Sequence, residues 1–311
     1  MKRVLQLLIL CLALMPCGAF AAGYPEKPIT LLGPYTAGGN VDMLARGLAP
    51  ALEDELGVKI IVTPTPGAGG MVATMKMLQS KPDGYTILIG NQTIFAMRPF
   101  MQKTRFKAGA VTPVCSVALP VHVLGVNRGG VYKTLDDVIA AAKQRPGAVS
   151  VALLGRGGLH EIMAIMTMRE LGVKLKLVPF NSGPEQVTAL RGGHVDLIIT
   201  DNYNPDILPM ASYNDYCKAI YPDTMSFREL GYPALGNLLN VYSIYAPVGT
   251  PKAVVERLSA AVRKAVASPQ YVTVAENLRV PPSFITGAQL AERIRADIAL
   301  MRELKESGAL D

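Results

Sequence analysis

The chain has 311 residues, half of them apolar, and a formal net charge of +7, which fits a globular protein with one large or two medium cores and excludes a disordered or fibrous chain. Its basic residues are scattered, with few aromatics beside them, which sets nucleic-acid binding aside because such surfaces gather cations into a stripe or a recognition motif. Three histidines lie far apart, with no H-E-x-x-H spacing and no G-x-S-x-G elbow anywhere in the chain, so metal, cofactor and nucleophile chemistry lack a motif.

From the start of the chain, Lys2 and Arg3 precede an apolar run over residues 4–15, and Ala19-Phe20-Ala21 supplies a small-x-small cleavage pattern. Residues 1–21 are therefore expected to be a secretory signal, too short to remain as a membrane anchor, and the mature protein is expected in the periplasm. Losing Lys2 and Arg3 takes the 31 basic residues to 29 against 24 acidic, a mild excess of +5 that favours an anionic ligand. Cys11 and Cys17 leave with the signal. Cys115 and Cys217 remain, either as one disulfide or as two buried thiols.

Short apolar runs then alternate with helical patterns, which predicts a parallel α/β sheet. Strands are expected at 29–33, 59–63, 86–90, 121–126, 150–154, 174–179, 195–200 and 241–246. After the first comes Pro34-Tyr35-Thr36-Ala37-Gly38-Gly39-Asn40-Val41-Asp42. Its two glycines let the backbone approach a ligand, Asn40 reads as a cap, and the helix start aims free N–H groups at an anion. Leu44, Leu48, Leu52 and Leu56 form one stripe of that helix, which Gly57 ends. Pro66-Gly67-Ala68-Gly69-Gly70 repeats the turn after the second strand, and Asn91-Gln92-Thr93 offers neutral donors after the third. Tyr35, Thr36, Ala37, Gly38 and Gly39 are thus candidate ligand contacts, together with Ala68, Gly69 and Gly70. Asp42 either caps the helix or lines the site through a bridging water.

Further helix starts are expected at Thr134, Ser182 and Thr286, which head capping-box patterns, and at Thr250 with Pro251. The βα pattern changes near Pro120 and near Asn240. Long strands crossing there would make two lobes, 22–120 with 241–311 and 121–240, and a cleft lined by strand C-terminal ends.

The motifs Tyr24-Pro25-Glu26-Lys27-Pro28-Ile29, Pro34-Tyr35-Thr36-Ala37-Gly38-Gly39 with Asp42, Pro66-Gly67-Ala68-Gly69-Gly70 and Pro82-Asp83-Gly84-Tyr85-Thr86 stand in order along the chain. So do Val178-Pro179-Phe180, Leu190-Arg191-Gly192-Gly193-His194-Val195-Asp196 and Ala246-Pro247-Val248-Gly249-Thr250-Pro251. In this series the chain resembles the Bug-type substrate-binding proteins of tripartite tricarboxylate transporters. The resemblance implies an α/β, two-lobed type II periplasmic binding fold that closes like a Venus flytrap on a small organic acid. It also implies that the ligand is handed to membrane transporter subunits; a monomer without cofactor is expected.

Departures from the family concentrate in the second lobe. Relatives carry a hydroxyl-rich loop where this chain has Leu154-Gly155-Arg156-Gly157-Gly158-Leu159-His160. Gly155, Arg156, Gly157 and His160 become candidates there, with Arg156 either pairing bidentately with a carboxylate or facing solvent. Phe180 and Asn181 stand where relatives place a tyrosine and a cation, and Asp201 matches an acid at a strand end. Relatives often place a tryptophan near Val241, and this chain has none. Three function classes remain: a solute receptor, a ligand sensor for a membrane signalling partner, and an exported enzyme, the first being expected.

Overall fold

A computed structural model describes residues 23–308 apart from 239, together with 310; the expected signal segment lies outside them. The strands are β1 (Ile29–Gly33), β2 (Ile60–Pro64), β3 (Thr86–Asn91), β4 (Thr112–Ala118), β5 (Val123–Asn127), β6 (Ser150–Leu154), β7 (Lys176–Phe180), β8 (Leu197–Thr200), β9 (Ile207–Ser212) and β10 (Tyr242–Ala246). The helices are α1 (Asn40–Leu56), α2 (Met71–Leu78), α3 (Thr93–Ala96), α4 (Arg98–Met101), α5 (Leu135–Gln144), α6 (Leu159–Leu171), α7 (Gly183–Arg191), α8 (Lys252–Val266), α9 (Pro269–Asn277) and α10 (Gly287–Glu306).

Two five-stranded sheets share one plan, β2-β1-β3-β10-β4 and β7-β6-β8-β5-β9. Each begins with three parallel strands and ends with an antiparallel pair of neighbours, β10 against β3 and β4, and β5 against β8 and β9. The sheets are therefore mixed, and the expectation of a purely parallel sheet does not hold. The fourth strand of each sheet arrives from the other half of the chain, so it enters against the direction set by the βα units. The chain passes to the second sheet between Ala118 and Val123 and returns between Ser212 and Tyr242.

The sequence reading missed β4 and β9. Both are edge strands and both contain a proline, Pro113 and Pro209. Proline argues against a strand read from sequence, yet it costs little at an edge, where its missing N–H serves no second ladder. Their partners also slip in register, between Ile244 and Tyr245 and between Leu124 and Gly125.

The leucine stripe of α1 packs as its spacing requires, with Leu44, Leu48, Leu52 and Leu56 all buried, each contributing roughly 1.5–3 kcal/mol. Gly57 ends the helix at φ 72° with its N–H on the Glu53 carbonyl. Capping boxes form at Thr134 with Asp137 and at Thr286 with Gln289, and Ser182 accepts the Glu185 N–H. Thr250 does not cap α8; its hydroxyl donates to the Pro247 carbonyl and Pro251 takes the cap position. One apolar cluster runs through both sheets, joining Leu88 and Phe95 to Leu153, Met163 and Ile199. Cys115 and Cys217 are buried free thiols. No helix among the described residues is long and apolar enough to cross a membrane.

Candidate functional site

The loops that follow β1, β2, β3, β6, β7 and β8 all leave the C-terminal ends of parallel strands, where open α/β sheets bind ligands. After β1, Gly38 takes φ 85° and its N–H is held by Asp42 Oδ2 at 3.0 Å, which also accepts Arg46 Nε at 2.9 Å. Asp42 thus ties its own loop to the first turn of α1. The helix itself has Gly39 at its N-cap and no side-chain cap, so the N–H groups of its first turn stay available. Asn40 does not cap; its Nδ2 reaches 161 residues along the chain to the Asp201 carbonyl at 3.2 Å.

After β2, Ala68–Gly70 form a 3-10 turn in which Ala68, Gly69 and Gly70 take φ of 47°, 61° and 94°. Left-handed backbone at Ala68 is costly for a residue with a Cβ, and Arg98 Nη1 fastens that residue by donating to its carbonyl at 2.6 Å. Gly69 is favoured by its φ, and a Cβ there would stand 2.6 Å from Arg98 Nη2, so a side chain would displace that guanidinium. These two turns face Gly155, Phe180 and Asn181 across a cavity of about 230 Å³, with Tyr35, Thr36, Ala68, Gly69 and Gly70 on the near side. That volume lies below the usual range for drug-sized ligands and suits a small acid.

Beneath it a polar cavity of about 30 Å³ is lined by Asn91, Thr93, Arg98, His122, His160, Asp201, Asn240 and Tyr242, among others. Tyr242 donates its hydroxyl to Asp201 Oδ2, joining β10 of the first sheet to the C-terminal end of β8 in the second. Asn91 Nδ2 donates to Tyr35 Oη at 3.3 Å, and Thr93 donates to Asn91 Oδ1. Burial raises the Tyr35 and Tyr242 phenols above their ordinary range, with the Asp201 charge adding to both. Burial also pushes His122 and His160 down to about 3, so both imidazoles are neutral. His160 Nδ1 accepts the Leu154 N–H at 3.1 Å, which leaves its proton on Nε2.

His122, His160 and Asp201 could bring ligating atoms within 4.8 Å of one another. Asp201 Oδ2 already serves Tyr242 and His160 Nδ1 already serves Leu154, while the Arg98 guanidinium lines the same cavity. The chemistry of that donor set suits an anion or a polar group better than a cation. A third small cavity lies where Gly39, Asn40 and Val41 at the start of α1 meet Ser182 and Gly183 at the start of α7.

Residues 44–307 match the family described as tripartite tricarboxylate transporter family receptor, TctC. The chain belongs to this receptor family. A UPF0065 protein of Bordetella pertussis is 29% identical over 292 residues, 91% of this chain and 88% of its own length. Two solved structures superpose with a TM-score of 0.82 each at 24% identity, both over 92% of this chain: the periplasmic binding protein BugD, over 99% of its own length, and Rpa4515 of R. palustris with adipate, over 98%. Family and fold are those of solute-binding receptors.

In this receptor the cavities gather Tyr35, Thr36, Gly39, Ala68, Gly69, Gly70, Asn91, Thr93, Gly155, His160, Phe180, Asn181 and Asp201 from the sequence candidates. Six candidates line none of them. Ala37 and Gly38 are exposed, Asp42 closes the loop, and Gly157 is buried with its N–H on Glu161. Gln92 is buried with Oε1 on the Val241 N–H at 3.1 Å, so it fastens the chain before β10. Arg156 is exposed, set between Gly155 and Gly157 at φ of 71° and 67°. Among the described residues the cation that lines these cavities is Arg98, which sequence reasoning passed over, as it did Tyr242 and Asn240. A signal existed for Arg98, a lone charge in the apolar run Ile94-Phe95-Ala96-Met97-Arg98-Pro99-Phe100-Met101. Val241 is buried and its neighbour Tyr242 takes the place at the cleft.

Proposed function

We propose that this receptor works outside the cytoplasmic membrane, in the periplasm, capturing a small carboxylate between two lobes and delivering it to tripartite tricarboxylate-type transporter subunits. The lobes are 22–120 with 241–311, and 121–240, acting as a monomer without cofactor. The observation that carries the reading is the pair of glycine turns around a cavity of about 230 Å³. The first opens into a helix start without a side-chain cap, and the second holds three successive left-handed residues. Both expose backbone N–H groups to a carboxylate without placing a side chain in its way.

A structure of similar fold carries adipate, which supports the acid as a ligand class here. Closure would bring Gly155 and Asn181 onto the bound acid, exclude water and strengthen each polar contact. Binding proceeds without turnover, which distinguishes a receptor from an exported enzyme. Mass spectrometry of small molecules released from gently purified protein should find an organic acid. A thermal-shift panel of carboxylic acids and their amides should raise the melting temperature with the acids only. Stabilisation by the neutral amides alone would overturn the carboxylate reading.

A further inference from the structure

Helix α9 ends with an arginine where glycine is the usual residue. The Arg279 N–H donates to the Glu276 carbonyl and the Val280 N–H to the Ala275 carbonyl, a Schellman-type closure that places Arg279 at φ 56°. Glycine suits that place because it has no Cβ to crowd the following carbonyl, so a larger residue there is strained. Among the described residues only Ala68 and Arg279 take a positive φ without being glycine. Ala68 belongs to the second turn of the site. Strain at Arg279 calls for a reason in its side chain.

That side chain crosses from one sheet to the other. Helix α9 belongs with the first, its Tyr271 and Ala275 buried in the cluster that holds Leu44 and Leu48 of α1. The Arg279 guanidinium carbon lies 5.2 Å from the centre of the Tyr203 ring, in the loop between β8 and β9 of the second sheet. Tyr203 lies in turn against Tyr221, with ring centroids 5.8 Å apart and planes at 33°. Tyr221 is buried with Val121 and Val123, where the chain first passes between the sheets. A cation over an aromatic face is attracted by the ring quadrupole, modestly so at an exposed position. Two residues before Tyr203, Asp201 accepts hydrogen bonds from Asn40 and Tyr242 of the first sheet, and Asp201 and Asn202 line the cleft. One loop thus carries cleft contacts at its start and the Arg279 contact just beyond them.

We propose that Arg279 is a positioning residue for the cleft: its cation–π contact with Tyr203 latches the β8–β9 loop of the second sheet to the first and favours the closed arrangement of the lobes. Glycine would end α9 with less strain and would leave Tyr203 without its cation. The latch touches no ligand, so it acts through the closed fraction and alike for every ligand. It rests on the lobe closure proposed above and is independent of the ligand's chemistry.

Nitroxide labels on Ile61→Cys in β2 and Val131→Cys after β5, both exposed, report the distance between the lobes by double electron–electron resonance on the mature chain. The native thiols are buried. Without ligand, Arg279→Gly is expected to lower the ratio of closed to open populations about two- to fivefold. Tyr203→Leu should do the same, and the double variant should add nothing further. Arg279→Lys, which keeps the cation, should fall between. Because glycine relieves the left-handed turn, the melting temperature of Arg279→Gly should hold or rise, whereas loss of a plain structural tie would lower it. An unchanged distance distribution in Arg279→Gly overturns the proposal. So does a shift that Tyr203→Leu fails to share, or one that comes with a lowered melting temperature. A single distance in wild type, with or without adipate, removes lobe closure itself and the latch with it; the carboxylate reading is judged separately by the thermal-shift panel.

Discussion

The two sheets repeat one strand plan, yet they meet the cleft with different chemistry. The edge of the first sheet offers backbone: an uncapped helix start after β1 and left-handed residues after β2. The edge of the second offers packed, satisfied groups, with His160 on the Leu154 N–H, Ser182 on the Glu185 N–H and Asp201 on Tyr242. Identical topology fixes where the loops emerge, and loop sequence decides whether their polar groups are free to meet a ligand.

The largest expected break in this contrast is Gly69→Val. The side chain must occupy left-handed backbone and displace Arg98, which should cost about 1–3 kcal/mol in stability and abolish acid binding, read by thermal melting and calorimetry. Gly39→Ala is the control: Gly39 has φ −80° and the nearest atom to a Cβ is 3.7 Å away, so stability should change little. Equal damage at both would remove the distinction between the two turns.

Acid should act on the second edge. His122 and His160 titrate at about 3 when folded against an ordinary 6.5, so the unfolded chain binds more protons between those values. Their contribution is full above pH 6.5 and is lost as pH falls towards 3. Asp297, raised by burial to about 6 from 3.8, has the opposite sign between those two values and offsets part of the loss. Urea melts at pH 7.5 and 5 should show a net destabilisation on the order of 2–3 kcal/mol. His160→Gln should flatten the dependence, and an unchanged slope would remove that histidine from the account.

Tyr242→Phe tests the link between the edges. It leaves the Asp201 carboxylate buried without its hydroxyl partner, at a cost of about 1–3 kcal/mol by melting. The smallest effect is expected at Arg156→Ala. An exposed loop arginine changes stability by roughly 0.5 kcal/mol at most, and acid affinity should stay within about twofold; a large loss would return Arg156 to the site.

Much of the fold was legible because its signals are local. The α1 stripe, the Gly57 stop, the capping boxes at Thr134 and Thr286, and β1 and β6 with their bounds all follow from neighbours in sequence. Proline concealed β4 and β9, whose tolerance of it depends on lying at an edge that only sheet assembly creates. In the site, glycine turns announce themselves by composition. Asn40 read as a helix cap because its partner, the Asp201 carbonyl, is 161 residues away, and Gln92 read as a cleft donor because its true acceptor role toward Val241 spans 149 residues.

By itself, then, the sequence determined the helix starts, the glycine turns and the family, all set by backbone preference over a few residues. Tertiary structure alone decided which cation enters the cleft. Burial of a charge depends on what surrounds it from every side, and Arg98 is enclosed by the Ala68 turn of one sheet and the Gly158 helix start of the other, while Arg156, on its glycine loop, is left in water.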